Sequence, residues 1–254
     1  MDLAHHVAGK GIVVTGASSG LGEHFARLLA GSGARVIAAA RRTDRLAALA
    51  EEATAKGWDI TPLALDVTDD DAIAPFFGEV QRTLGRLDVL INNAGVADTT
   101  PALELTPAQF DQVVDTNLRG AFFIAQGAAR AMQESGGGSI VNIASILALR
   151  VAGNVAPYAI AKAGLAQMTQ ALALEWARYG IRVNALAPGY LETELNADFF
   201  ATPAGQALIK RIPQRRLSRL TDLDAPLLLL AGDAAPTLTG VVLPVDGGHL
   251  VSSL

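Results

Sequence analysis

The segment GIVVTGASSGLG, residues 11–22, joins a short apolar run to a turn that contains three glycines. The run GIVVT has the β-branched composition of a buried strand, and a helical pattern begins at about residue 20. Gly16, Gly20 and Gly22 let the backbone turn tightly, and the start of the following helix favours a phosphate group. The spacing G-x3-G-x-G differs from the more common G-x-G-x-x-G. A strand–helix turn without a ligand is therefore the alternative interpretation.

The rest of the chain repeats this alternation of apolar runs and helical segments. Parallel strands need helical crossovers, so the pattern predicts an α/β fold: a single doubly wound parallel seven-stranded sheet with helices on both faces, a Rossmann fold. We expect residues 1–254 to form one domain with ligands at the carboxyl ends of the strands. The predicted strands are 11–15, 35–39, 60–65, 87–91, 139–144, 181–187 and 241–245. The predicted helices are about 20–31, 43–56, 69–84, 107–134, 156–179 and 222–231.

Composition excludes several classes of function. The 254 residues are half apolar and carry a net charge of -5 without a basic tract, which argues against nucleic acid as a partner. The chain has no cysteine, so thiol nucleophiles, disulfides and cysteine-ligated zinc are excluded. No apolar run approaches the ~20 residues of a membrane span, and no signal peptide pattern is present. Four histidines lack partners at metal-binding spacing, so we expect a cytoplasmic protein without a metal or membrane.

Further motifs follow the glycine turn at regular places along the chain. They are NNAG at 92–95, a serine at 145, YAIAK at 158–162, PGYLET at 188–193 and VDGG at 245–248. Together with the glycine turn they strongly resemble the short-chain dehydrogenase/reductase family, over essentially the whole chain and in the family's order. Within that family the chain resembles NADP(H)-preferring members like 3-oxoacyl-carrier-protein reductase. The resemblance implies hydride transfer between a nicotinamide and a ketone or alcohol.

Four residues are the predicted catalytic group. Tyr158 and Lys162 are four residues apart, so on a helix they share one face, and a nearby ammonium favours a tyrosinate. The resemblance makes Tyr158 the acid or base at the substrate oxygen, with Lys162 also bonding the nicotinamide ribose. It makes Ser145 the holder of the substrate oxygen. Asn117, in DTNLRG, matches the family asparagine that kinks a helix and holds a water in a proton relay to the lysine.

The resemblance also carries cofactor contacts onto this chain. The turn and strand ends would contact phosphates, ribose and adenine, although Asp66 could instead cap the next helix. Pro188 and Gly189 would face the nicotinamide, with Thr193 on its carboxamide. The full predicted set is Gly16, Ser18, Ser19, Gly20, Leu21, Gly22, Arg41, Arg42, Asp66, Val67, Asn92, Ala94, Gly95, Tyr158, Lys162, Pro188, Gly189 and Thr193.

The end of the second predicted strand, VIAAARRTD at 36–44, bears on the choice of nicotinamide. NAD-preferring relatives carry an acid where Ala40 stands, and Arg41 follows where NADP-preferring relatives carry a base. A guanidinium can hold a 2′-phosphate through two hydrogen bonds, and Arg42 adds positive charge. The chain is therefore predicted to prefer NADP(H) over NAD(H). The alternative is that both arginines only pair with surface acids.

The substrate is expected to lie between the segment after Ser145 and a loop and helix at about 189–215. The predicted substrate residues are apolar: Leu147, Leu149, Leu195 and Phe199. They favour a hydrophobic ketone or secondary alcohol, with Arg150 as the nearby charge. The alternative is a 3-oxoacyl-carrier-protein reductase, although Tyr179 stands where that subgroup should carry a base. A non-catalytic dinucleotide-binding regulator is a further alternative. By resemblance the chain is expected to form a homotetramer or homodimer.

Overall fold

The computed structural model describes residues 2–191 and 197–252 and contains one sheet of seven strands. The strand order is β3-β2-β1-β4-β5-β6-β7, and every neighbouring pair is parallel. The predicted sheet is thus confirmed. The strands are β1 Gly11–Thr15, β2 Arg35–Ala40, β3 Asp59–Ala64, β4 Val89–Asn92, β5 Gly138–Ile143, β6 Ile181–Pro188 and β7 Val242–Val245.

The helices connect consecutive strands, as parallel pairing requires. They are α1 Gly20–Gly31, α2 Thr43–Ala55, α3 Asp70–Leu84, α4 Pro107–Val114, α5 Ala121–Glu134, α6 Ala156–Trp176, α7 Ala197–Ala201, α8 Pro203–Arg211 and α9 Asp224–Ala231. Several element bounds differ by one to three residues from the sequence prediction, and two segments are divided differently. The helix predicted at 107–134 is divided, and the segment at about 189–215 contains two short helices rather than one.

The sheet separates two apolar cores. Alternate residues of a strand point to opposite faces, so Val13 packs against the core beneath α3, α5 and α6, whereas Ile12 and Val14 pack against the core beneath α1, α2 and α9. Every residue of β1 is buried. Because both faces of the central strands are covered, apolar residues dominate these strands on both faces, which explains why their pattern was readable in the sequence.

A π-helical turn at Asp115–Gly120 divides the helix that the sequence predicted as continuous. At the end of this turn, a Cβ added to Gly120 would lie 2.4 Å from the carbonyl oxygen of Val67, so the chain passes directly against the loop after β3. The wider turn places Asn117 in the interior, where it is fully buried. Single π turns of this kind often occur at functional sites.

Candidate active site

The carboxyl ends of the central strands border a cleft of about 640 Å³. It lies where the strand order reverses, between β1 and its neighbours β2 and β4, which is where ligands bind in sheets of this type. A volume of this size suits a small-molecule ligand. Predicted site residues that line it are Gly16, Ser18, Ser19, Leu21, Arg41, Arg42, Asp66, Val67, Ala94, Gly95, Ser145, Tyr158, Lys162, Pro188 and Gly189.

The glycine turn has the backbone conformation that its glycines were expected to allow. Gly16 and Gly20 have φ values of +67° and +55°, which side chains rarely adopt. A Cβ on Gly22 would lie 2.3 Å from the Gly16 carbonyl oxygen, so the first turn of α1 packs directly on the loop. Ser19 precedes α1 without a side-chain cap. The first N–H groups of the helix therefore retain the capacity to bind an anion.

Thr15 and Asn93 join the glycine turn to the end of β4. Thr15 Oγ1 accepts hydrogen bonds from the backbone N–H groups of Asn93 at 2.9 Å and Ala94 at 3.0 Å. The Asn93 side chain donates to the Thr15 carbonyl oxygen at 2.9 Å. These bonds hold Ala94 close to the glycine turn. A Cβ on Gly16 would lie 2.9 Å from the Cα of Ala94. The sequence analysis missed this contact, although both residues lie within the quoted motifs.

The prediction that Asn92 lines the adenosine side of the cleft is wrong. Asn92 is buried, and its side chain donates to the Ala121 carbonyl oxygen at 2.8 Å and to Asn142 Oδ1 at 3.1 Å. Its side chain therefore ties β4 to β5 and α5 instead of facing a ligand. Within the NNAG motif, Asn93 is the asparagine that borders the cleft.

The two arginines after β2 make different contacts. Arg42 donates through Nε to Ser18 Oγ at 3.1 Å and through Nη2 to Ser19 Oγ at 2.6 Å. Arg41 is largely exposed, and its Nη1 lies 3.6 Å from Asp66 Oδ2. The guanidinium of Arg42 thus contacts the glycine turn directly. The guanidinium of Arg41 lies beside Asp66, which follows β3.

Asp66 has a local role that differs from a helix cap. It accepts hydrogen bonds from the Thr68 backbone N–H at 3.0 Å and the Thr68 hydroxyl at 2.7 Å, while Asp69 caps α3. Burial raises the pKa of Asp66, but the Thr68 bonds and the charge of Arg41 together outweigh this effect. The net pKa of Asp66 is therefore below the ordinary value. The carboxylate is thus ionised at the edge of the cleft.

Tyr158 and Lys162 lie at the start of α6 with Lys162 Nζ 5.5 Å from the centre of the tyrosine ring. Lys162 is buried, and its ammonium donates to the carbonyl oxygen of Ile143 at 2.7 Å. Burial lowers the pKa of Lys162 to about 8, because no carboxylate compensates the loss of solvation. The spacing on the helix thus brings both side chains into one cleft, as the sequence implied.

Ser145 lies beside Tyr158 at the carboxyl end of β5. Its hydroxyl caps a short 3₁₀ turn at Ile146–Ala148 by accepting from the Leu147 N–H at 3.1 Å. Burial raises the pKa of Tyr158, and a hydrogen bond with Ser145 opposes this effect only in part. The groups of the protein alone thus leave the tyrosine pKa above its ordinary value, and the lowering expected from Lys162 together with a bound oxidised nicotinamide stays a prediction.

Asn117 lies behind Gly95 rather than on the surface of the cleft. Its Oδ1 accepts from the Val96 N–H at 2.7 Å and its Nδ2 donates to the Val96 carbonyl oxygen at 2.7 Å. A Cβ on Gly95 would lie 3.0 Å from Asn117 Oδ1 and 3.7 Å from Lys162 Nζ. The asparagine side chain is thus fully used in holding the Gly95–Val96 backbone close to the lysine. A relay through its neighbourhood stays a prediction.

The predicted substrate residues are less well placed than the cofactor residues. Leu147 is half-buried, Leu149 and Phe199 are about half exposed, and none of the three is among the residues that line the cleft. Leu147 lies in the 3₁₀ turn after Ser145 and Phe199 in the short helix α7, and the orientation of these side chains cannot be read from local apolar character. Leu191 lines the cleft instead. Leu195 and Thr193 lie outside the described residues.

Metal binding and membrane insertion are two further properties that the described residues bear on. Over 2–191 and 197–252, no three histidine, cysteine or acidic side chains come together in a geometry that could ligate a metal ion. Within the same ranges, no helix combines the length and apolar character needed to cross a bilayer.

Comparisons with known proteins agree with the geometry of the cleft. A family model described as "Enoyl-(Acyl carrier protein) reductase" matches residues 16–249. The gluconate 5-dehydrogenase of Gluconobacter oxydans (strain 621H) is 35% identical over 97% of this chain and 96% of its own length. The 3-oxoacyl-[acyl-carrier-protein] reductase of Thermotoga maritima is also 35% identical, over 96% of this chain and 98% of its own.

A solved structure extends the similarity to three dimensions. The gluconate 5-dehydrogenase of Burkholderia cenocepacia J2315, in complex with NADP and tartrate, superposes with a TM-score of 0.93 at 32% identity and covers 98% of this chain and 99% of its own. Both sequence and fold therefore agree along nearly the full length. The chain belongs to the short-chain dehydrogenase/reductase family, whose members are oxidoreductases that act on CH–OH groups.

Proposed function

We propose that this protein is an NADP(H)-dependent oxidoreductase that transfers a hydride between the nicotinamide and a ketone or secondary alcohol, with Tyr158 as the acid or base. The observation that carries the proposal is that Ser145, Tyr158 and Lys162 share one cleft with the glycine turn. A fold of this type also occurs in proteins without catalytic activity, so the argument rests on these side chains and not on the sheet.

The cleft fits a dinucleotide on its own geometry. A Cβ on Gly16 or Gly22 would clash with neighbouring backbone, so glycine at both positions lets the turn pack closely at the start of α1, where a pyrophosphate would bind. Gly16, Ser18, Ser19 and Leu21 would hold the phosphates, while Pro188 and Gly189 border the opposite end of the cleft. A nicotinamide bound there supplies the hydride donor or acceptor, which protein side chains cannot provide.

The side chains divide the remaining work. The Ser145 hydroxyl holds the substrate oxygen and stabilises the charge that develops on it. Tyr158 Oη gives a proton to that oxygen during reduction and takes it back during oxidation. Lys162, held by the Ile143 carbonyl oxygen, keeps a positive charge close to the tyrosine ring, and Asn117 keeps the backbone beside the lysine in place.

The proposed preference for NADP(H) is supported by the charges around the end of β2. Arg42 lies on the glycine turn through its bonds to Ser18 and Ser19, and Arg41 is largely exposed with Asp66 as its ion-pair partner. Ala40 lines the cleft where a carboxylate would repel a 2′-phosphate. One arginine can thus remain on the turn while the other binds phosphate with charge-assisted hydrogen bonds.

A 3-oxoacyl-carrier-protein reductase is the second candidate, and the Thermotoga maritima relative favours it. That activity needs a basic surface for an acidic carrier protein, and Tyr179 occupies a position where a base was expected. We therefore prefer a reductase or dehydrogenase of small ketones and alcohols. Turnover of an acyl-carrier-protein substrate at higher kcat/KM than every small ketone would reverse this choice.

The assembly that we propose is a homotetramer. The long helix α6 has a high apolar content, although Gln167, Gln170 and Glu175 are exposed on it, and large apolar side chains on a helix are normally covered. Ile160 and Leu174 on its outer side are nevertheless 53% and 83% exposed. These positions lie about 40° apart around the helix, so they form one stripe that a second copy of the chain can cover.

Replacement of Tyr158 by phenylalanine tests the catalytic role. The variant should lose about 100- to 10,000-fold in kcat, because it removes the acid or base while leaving the ring in place. Its binding of NADPH, measured by fluorescence titration, should change little. Tyr179→Phe is the matched control and should keep wild-type kcat. Full activity of Tyr158→Phe would contradict the mechanism, and retained cellular function without turnover would instead favour the regulator.

A further inference from the structure

A polar cluster lies where the loop after Ser145 meets the C-terminal turn of the chain. Arg150 Nη1 donates to the His249 carbonyl oxygen at 2.5 Å and to Ser252 Oγ at 3.1 Å. The His249 ring lies 5.5 Å from the ring of Tyr190, which follows β6. We call Arg150, Tyr190 and His249 the Arg150 cluster. It joins three segments that are distant in the sequence, and the mechanism above uses none of its side chains.

The Arg150 cluster adjoins the wall of the cleft on the side of β6 and β7, although none of its three residues is among those that line the cleft. Tyr190 directly follows Gly189, which lines the cleft. A Cβ on Gly189 would be 2.7 Å from the Cα of Asp246, so the cleft wall and the turn that carries His249 are in direct contact. Ser145 lies five residues before Arg150, with a single 3₁₀ turn between them. A ligand held at Ser145 therefore extends toward the cluster.

The cluster has hydrogen-bonding capacity that the described part of the chain does not use. His249 is 6% exposed, its Nδ1 is buried without a partner, and neither ring nitrogen has a hydrogen bond among the described residues. Arg150 uses only Nη1, which leaves its Nε and Nη2 edge unpaired within 2–191 and 197–252. Buried polar groups usually have partners, so the unpaired Nδ1 of His249 beside the half-buried Arg150 points to a ligand.

The charge around the cluster is positive. Arg211, at the end of α8, is exposed and forms no ion pair among the described residues. Burial is the largest cause that lowers the pKa of His249. The charges of Arg150 and Arg211 lower this pKa further, whereas Asp246 raises it. The Asp246 carboxylate is already bonded to the N–H groups of Gly248 and Leu250. Two guanidinium groups thus act on His249, and within the described ranges neither of them forms an ion pair with a carboxylate.

We infer that the Arg150 cluster binds a carboxylate carried by the substrate, which makes the substrate class an oxo acid or the corresponding hydroxy acid. The Nε and Nη2 edge of a guanidinium matches the two oxygens of a carboxylate, and His249 and Tyr190 add neutral donors. The reacting carbon lies at Ser145 and Tyr158, so this inference rests on the proposed oxidoreductase function. It changes the expected hydrophobic substrate into one with an anionic end.

Matched pairs of substrates test the inference. 4-Oxopentanoate and 4-oxocyclohexanecarboxylate are each compared with their carboxamides, which keep the shape and remove the charge. The wild type should favour the acids by about 10- to 100-fold in kcat/KM, as expected of a charge-assisted hydrogen bond. Arg150→Met should remove this preference through KM of the acids and leave the carboxamides within about threefold. Arg150→Lys should restore part of it.

Further variants separate recognition from structure. Arg178→Met removes a positive charge elsewhere and should leave the preference unchanged. Arg211→Met, at an exposed position that holds nothing in place, should weaken the preference and its dependence on salt even if Arg150→Met fails to fold. Equal turnover of acids and carboxamides by the wild type, or an equal loss for both in Arg150→Met, would overturn the inference alone. No turnover of any ketone or alcohol would overturn the proposed function with it.

Discussion

Arg41 and Arg42 are neighbours in the chain, yet the fold gives them different work. Arg42 bonds both serines of the glycine turn, and Arg41 is 68% exposed beside Asp66. The sequence analysis assigned the phosphate contact mainly to Arg41 and a supporting charge to Arg42. The geometry adds that Arg42 also stiffens the turn, so replacing it would disturb both cofactors, whereas replacing Arg41 would act on the 2′-phosphate alone.

Arg41→Asp should therefore shift the cofactor preference toward NADH. We expect the ratio of kcat/KM for NADPH over NADH to fall by at least about tenfold, because a charge-assisted hydrogen bond is lost and a repulsive charge is gained. Arg45→Asp, an exposed position on α2, makes the same charge change and should leave the ratio near that of the wild type. An unchanged ratio in Arg41→Asp would contradict the NADP(H) proposal.

Lys162 makes the stability of the protein depend on pH. Burial lowers its pKa to about 8 from an ordinary 10.5, so between these values the unfolded chain binds more protons and stability rises with pH. The free energy of unfolding of the wild type, relative to Lys162→Met, should increase by about 2 kcal/mol between pH ~7.5 and ~10. Urea denaturation at several pH values measures this difference. A difference that falls or stays flat would show that the lysine is not desolvated.

At the scale of elements, the π turn at Asp115–Gly120 was invisible to the sequence. Residues 107–134 keep a helical pattern, and no proline interrupts them after α4 begins, so one helix was the natural prediction. The interruption depends on contacts with other elements: Gly120 lies against Val67, and Asn117 bonds the backbone of Val96. Local propensity could not report either contact.

Gly120→Ala tests how closely these elements pack. Its Cβ would lie 2.4 Å from the Val67 carbonyl oxygen, so we expect a loss of about 1–3 kcal/mol in the free energy of unfolding. Gly78→Ala in α3 is the control, since its Cβ would meet nothing within 4 Å, and it should stabilise by about 0.4–1 kcal/mol. Equal stability of the two variants in urea denaturation would show that the π turn has room to move.

At the scale of the whole molecule, the exposed stripe of α6 predicts association. Sedimentation should give a tetramer for the wild type and smaller species for Leu174→Glu, because a charge replaces an apolar side chain that is 83% exposed in the single chain. Leu103→Glu, on a fully exposed loop position, should leave the assembly intact. A wild type that sediments as a monomer at micromolar concentration would exclude the tetramer.

Most of the fold, and the common helix face of Tyr158 and Lys162, could be predicted from local sequence patterns. The seven strands were readable because β1, β4, β5 and β6 are largely buried on both faces and hence rich in apolar residues, although Asn142, Arg182 and Asn184 interrupt them. Tyr158 and Lys162 were readable because a four-residue spacing on a helix fixes their common face. The prediction for Asn92 failed because its side chain bonds α5. The NNAG motif alone does not reveal this contact.

The sequence by itself determined the order of strands and helices along the chain and the glycine turn, since each depends on neighbours a few positions away, and the family resemblance supplied the proposed catalytic group. Only the tertiary structure decided which arginine lies on the turn, where the long helix is interrupted, and that Arg150 meets His249 across 99 positions of chain. Such contacts are set by the packing of whole elements. No local pattern of charge or hydrophobicity encodes them.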